Sequence, residues 1–147
     1  MKRRPHLALR LPRWQEASVY GGGAVLLASG VAWLILHDFL TAKGDFGPQP
    51  NPAEHPTLIV HGVVAAAFLV VGGAMIPVHV RLGLASGRNR VSGIATGVGL
   101  LFLAATGAGL YYVGDEGWRA AVSVVHWGVG LAAAAVLAWH AAAGKRR

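Results

Sequence analysis

The chain has 147 residues, of which 54% are apolar and only 13% charged, with a formal charge of +7. A soluble domain carries about 25% charged residues, so this composition excludes an ordinary water-solvated fold and points to lipid as solvent. The chain has no cysteine, which excludes disulfides, iron–sulfur clusters, thiolate metal sites and covalently attached c-type haem.

In chain order, residues 1–16 read as a basic cytoplasmic arm, with Trp14 placed for the membrane interface. Residues 17–144 form one domain holding four apolar runs, at about 18–40, 57–80, 91–113 and 119–142. Each run is 23 or 24 residues long, and a helix needs about 20 to cross the hydrocarbon. The stretch from Val19 to Leu36 is too long for a signal-peptide core, and no small-x-small cleavage site follows, so the first run is read as a retained helix. The segment Thr41–Pro56, with Gly44, Gly47, Pro48, Pro50, Pro52 and Pro56, reads as an extracytoplasmic loop. Leu82–Asn89 is a short inner loop, Tyr111 and Tyr112 suit the outer aromatic belt, and Gly114-Asp115-Glu116-Gly117 is a tight outer turn.

Charge sets the orientation. Eleven of the 13 basic residues lie before the first run, between the second and third, or after the fourth, whereas five of the six acids lie on the opposite side. Cationic loops stay in the cytoplasm, so both termini are expected there. The basic excess therefore reflects topology, and nucleic acid is excluded as a partner. Connections this short give an all-α, integral membrane, up-down-up-down four-helix bundle, with the second and fourth runs diagonal across its centre. Glycines such as Gly93 and Gly97 have the spacing of close helix contact, within the bundle or between two copies of the chain.

Four of the seven histidines lie within the second and fourth runs: His61, His79, His126 and His140. Such groups inside a membrane are costly and mark function. His61 and His79 are 18 residues apart, which is about five turns, and His126 and His140 are 14 apart, within roughly 40° of four turns. Each helix thus keeps both rings on one face. Both helices run inward, so His61 and His126 fall near the outer surface and His79 and His140 near the inner. The two levels are about 21 to 27 Å apart at ~1.5 Å per residue. Imidazole pairs facing across a bundle suit axial ligation of haem iron. Zinc, which takes four ligands, often with cysteine or carboxylate, fits less well. Two b-type haems are therefore the expected cofactors. Arg119, seven residues before His126, is a candidate partner for the carboxylates of an outer haem, and Arg81 or Arg90 for those of an inner one; topology anchoring is the alternative role. His37 is an alternative outer ligand, and His55 and His6 read as solvated. The second run spaces its histidines about 6 Å further apart than the fourth, by the same rise, and Pro77 is expected to kink the helix just before His79.

The segments His61-Gly62, Pro77-Val78-His79-Val80, Tyr111-Tyr112-Val113-Gly114-Asp115-Glu116 and, above all, His126-Trp127-Gly128-Val129-Gly130 running to His140 resemble the small membrane cytochrome b561-like proteins, a group related to the cytochrome b subunits of formate dehydrogenases and hydrogenases. The resemblance spans 61–144 and implies bis-histidyl haem b, with electron exchange between the quinone pool and a periplasmic partner. The dehydrogenase type takes one inner ligand from the start of its first helix. Here that region, Trp14 to Tyr20, has no histidine, so the inner ligand falls to His79. Two ligands on each of two helices is similar to the core of the respiratory cytochrome b.

The expected function is thus transmembrane electron transfer in a bacterial-type inner membrane, as a subunit without a catalytic domain of its own. Its expected partners are the lipid bilayer and a periplasmic redox protein or other membrane-complex subunits, with a quinone and a second copy of the chain as candidates. The rival readings are a histidine-based proton- or ion-handling protein and a haem-free anchor. In a bacterial host, a phosphatase that is active only outside the cytoplasm should be inactive when fused after Arg147 and active when inserted at Gly47. The reverse pattern overturns the orientation.

Overall fold

The computed structural model describes residues 11–45, 47–87 and 89–145. Helix α1 spans Arg13–Asp38. It begins ahead of the apolar run, because Pro12 pre-sets an extended entry and its carbonyl accepts the Glu16 N–H at 3.0 Å. Part of the expected basic arm is therefore the first turn of α1, while residues 1–10, with His6, lie outside the described residues.

The connection after α1 contains a short antiparallel hairpin, β1 Ala42–Gly44 and β2 Gly47–Gln49, where the sequence suggested loop. Pro48 sits opposite Lys43, tolerable because each strand of a two-stranded ribbon has a free edge. Asn51 ties the hairpin to the helices: its Nδ2 donates to the Leu40 carbonyl at 2.6 Å, and its Oδ1 accepts from the Ala53 N–H at 3.0 Å.

Helix α2 spans Glu54–Met75, continues through a π-helical turn at Ile76–Val80, and ends as α3, Arg81–Ser86. Together they make one apolar helix of 33 residues. Pro77 has no N–H to donate back along the ladder, and the helix widens around it rather than breaking. Gly87 and Asn89, both with positive φ, turn the chain after α3; asparagine is one of the few non-glycine residues that visits this region readily. Helix α4 spans Arg90–Tyr112 and α5 Glu116–Lys145. Asp115 caps α5, its Oδ1 accepting the Trp118 N–H at 2.8 Å.

The described chain is thus almost entirely helical, with four helices long and apolar enough to cross a membrane. α1 packs along α2 and α4 along α5, and α1 also meets α5, which leaves α2 and α5 on opposite sides of the bundle axis. The outward surface is apolar: Val70, Val91 and Leu101 are each more than 70% exposed. This inverts the soluble pattern and matches a lipid solvent.

Within the bundle, Phe68 is the one buried hydrophobic side chain among the described residues. Its ring lies on Gly22, where an added Cβ would come within 2.9 Å of Phe68 Cδ2. A Cβ at neighbouring Gly21 meets nothing within 4 Å. Gly22→Val should therefore destabilise the detergent-solubilised protein by about 1–3 kcal/mol through overpacking, and Gly21→Val should cost clearly less, as thermal unfolding would show.

Candidate functional site

A bundle in lipid has no water with which to satisfy imidazole nitrogens, so each must find a partner inside the protein. The histidines of α2 and α5 face one another across the bundle, and three of them bond to hydroxyls on the flanking helices. His61 and His126 face each other with ring centroids 6.4 Å apart and planes at 72°. His79 and His140 do the same at a second level along the bundle, at 6.3 Å and 90°. All four are half-buried.

The other nitrogen of three of these rings is held by a hydroxyl. His61 Nδ1 lies 2.9 Å from Ser29 Oγ, His126 Nδ1 2.8 Å from Thr106 Oγ1, and His140 Nδ1 2.8 Å from Ser92 Oγ. A hydroxyl has one proton, and in each case a backbone carbonyl takes it. Ser29 donates to Val25 O at 2.7 Å, Thr106 to Phe102 O at 2.9 Å, and Ser92 to Asn89 O at 3.1 Å. With its proton directed at the carbonyl, the hydroxyl accepts and the ring donates from Nδ1–H. A neutral imidazole protonated at Nδ1 carries its lone pair on Nε2.

Each hydroxyl is followed by a glycine that makes room for the same ring. A Cβ built on Gly30 would lie 3.4 Å from His61 Cε1, one on Gly93 3.3 Å from His140 Cε1, and one on Gly107 3.4 Å from His126 Cε1. The pairs Ser29-Gly30, Ser92-Gly93 and Thr106-Gly107 form the same bracket three times over: the hydroxyl binds one ring nitrogen and the glycine admits the ring edge. Ser29 and Ser92 are also the only buried polar side chains among the described residues. These three hydroxyls escaped the sequence reading, although a signal was there. Ser92 and Thr106 are 14 residues apart, as are His126 and His140, as expected when two antiparallel helices meet in register.

His79 lies within the π turn, two residues after Pro77. A π turn packs more residues into each turn than an α-helix does, which shortens the rise between His61 and His79 relative to an unbroken helix. That is the direction needed to match the shorter spacing on α5, and both cross-bundle pairs close to the same separation.

The remaining candidates lie at the ends of the helices. His37 is exposed, stacks on Trp33 and pairs its Nδ1 with Glu54 Oε2 at 3.1 Å, so its contacts are with this outer cluster and not with the His61–His126 pair. His55 is exposed in the first turn of α2. Arg119, Arg81 and Arg90 are exposed, the first near the start of α5 and the others at the starts of α3 and α4. Among the described residues no three of His, Cys, Asp or Glu come together as ligands to one ion; the histidines meet in twos. No family model matches the chain, nor does any curated protein or solved structure.

Ser92→Ala leaves the His140 Nδ1–H without an acceptor and should cost about 1–3 kcal/mol, whereas Ser92→Thr, which keeps the hydroxyl, should recover most of the loss. Denaturation in detergent measures both.

Proposed function

We propose that this chain is a bis-histidyl di-haem b cytochrome that carries electrons across a membrane, with one haem between His61 and His126 and the other between His79 and His140. The observation that carries the reading is the separation of the paired rings. A metal–nitrogen bond of about 2.0 Å, added to the distance from ring nitrogen to ring centre and doubled, requires centroids roughly 6.3 Å apart; the two pairs stand at 6.4 and 6.3 Å. The angle between the rings is unrestricted in such an arrangement, because each ring plane contains its own metal–nitrogen bond.

The donor set agrees. Two imidazoles suit an iron whose other four positions belong to a porphyrin, whereas an ion held by protein alone needs more ligands than either pair offers. A haem held by both imidazoles of a pair would supply one-electron transfer chemistry. The protein's own part is to hold each ring. The Ser29, Thr106 and Ser92 hydroxyls fix the orientation of His61, His126 and His140, as second-shell acceptors do for metal-bound histidine. Gly30, Gly107 and Gly93 let each ring sit close to its flanking helix. Arg119, and Arg81 or Arg90, are the cations that would pair with the haem carboxylates.

Two levels of paired histidines along one bundle give a path from one face of the membrane to the other. With the basic loops inward, the bacterial inner membrane is the natural setting. The quinone pool or a cytoplasmic-side donor would stand at one end and a periplasmic redox protein at the other, in keeping with the resemblance to cytochrome b561-like proteins. Purified protein, expressed with ample haem, should show a reduced b-type spectrum with two haems per chain. His126→Leu should remove one haem and leave the other. A colourless, folded preparation overturns the proposal and leaves a haem-free helical membrane protein.

A further inference from the structure

One polar group in the interior has no partner within the chain. The Trp33 indole Nε1 is buried and makes no hydrogen bond, alone in this among the described residues. Buried donors in native proteins are almost always paired, and an exception calls for a partner from elsewhere.

The position of Trp33 narrows what that partner is. It follows Gly30 by three residues and Ser29 by four, so it lies one turn further towards the outer end of α1, on the same inward stripe that meets His61. Its ring is held in place by a stack on His37, with centroids 4.6 Å apart and planes at 14°. His37 is in turn tied to Glu54 at 3.1 Å, and Glu54 Oε1 accepts the Asn51 N–H at 3.0 Å. The end of α1, the start of α2 and the outer loop thus clamp the indole. Its nitrogen can only donate, so what it meets must be an acceptor beside the outer histidine pair.

We propose that Trp33 Nε1–H donates a hydrogen bond to a carboxylate of the porphyrin held between His61 and His126. The assignment rests on the di-haem reading. The porphyrin's strong acceptors are its two carboxylates, on one edge of an apolar disc, and that edge belongs towards the polar surface. Trp33 stands one turn on the surface side of the Gly30–His61 contact. A neutral indole N–H meeting a carboxylate is a charge-assisted bond, and it supplies a donor from α1 in addition to the Arg119 cation on α5.

The test compares protohaem with its dimethyl ester, in which both carboxylates are capped. Wild-type and Trp33→Phe protein, stripped of haem, are titrated with each porphyrin in detergent and followed by absorbance. Phenylalanine keeps a ring to stack on His37 but removes the N–H together with the indole's five-membered ring, and the diester titration controls for the lost packing. Trp33→Phe should weaken one of the two protohaem equivalents roughly tenfold or more, the range of a hydrogen bond to a charged group, and should leave binding of the diester unchanged. An equal loss for both porphyrins, or no loss for either, overturns the assignment while the di-haem reading stands. Wild-type protein that takes up neither porphyrin removes both. If Trp33→Phe does not fold, benzothienylalanine at position 33, with the shape of tryptophan but sulfur in place of N–H, makes the same comparison.

Discussion

The hydrogen bond from imidazole to hydroxyl governs the interior of this protein. Lipid offers nothing to a ring N–H, so a histidine inside the bundle must bond to the protein or bear an unmet donor. Serine and threonine can act as acceptors here because the helix itself takes their proton: the carbonyl a turn back absorbs the hydroxyl hydrogen. A local interaction that usually only competes with helix geometry thus becomes a fixed acceptor aimed at the next helix. The ring's remaining nitrogen then has one direction left, across the bundle axis. The orientation of each ring descends from that one bond.

Close approach is the second half of the same constraint. A hydroxyl at 2.8 or 2.9 Å brings the ring against the neighbouring backbone, and at the next residue there is space for hydrogen but little for a methyl group. Glycine at 30, 93 and 107 follows from sterics. The pattern repeats because the α4–α5 hairpin is in antiparallel register, so two hydroxyl–glycine pairs on one helix serve two histidines on the other. Among the described residues the interior therefore has little conventional apolar core beyond Phe68, and its most buried polar side chains are the serines that hold the rings.

The helix containing His61 and His79 shows how local disruption can serve the whole. Proline within a membrane helix removes a hydrogen bond and invites a kink. Here the backbone takes up the defect as one π turn that also carries His79. The turn alters rise and phase over a few residues, and two unequal spacings, 18 residues on one helix and 14 on the other, come to match across the bundle. At the α1–α2 connection, the Trp33–His37 stack and the His37–Glu54 pair join the two helices beyond the His61–His126 pair. A flexible outer connection would leave that level open; Asn51 and Glu54 instead bind the loop back onto the helix ends.

Much of this was legible in one dimension. Four apolar runs of membrane length, the charges between them, and histidines at near-integral numbers of turns on two helices all follow from periodicity and solvation, which act locally and leave a trace in spacing. Helix ends were less legible: α1 starts at Arg13, and the second span runs on to Ser86, because capping and a π turn extend a helix past its apolar stretch. The loop hairpin, the acceptor role of Ser29, Ser92 and Thr106, and the unmet donor on Trp33 needed the tertiary structure. Serine or threonine before glycine is common in membrane helices and says nothing by itself about what lies opposite. The sequence determined which faces carry imidazole. The tertiary structure decided which hydroxyl each of three rings meets, because the register between antiparallel helices depends on loops and side-chain packing that no single helix encodes.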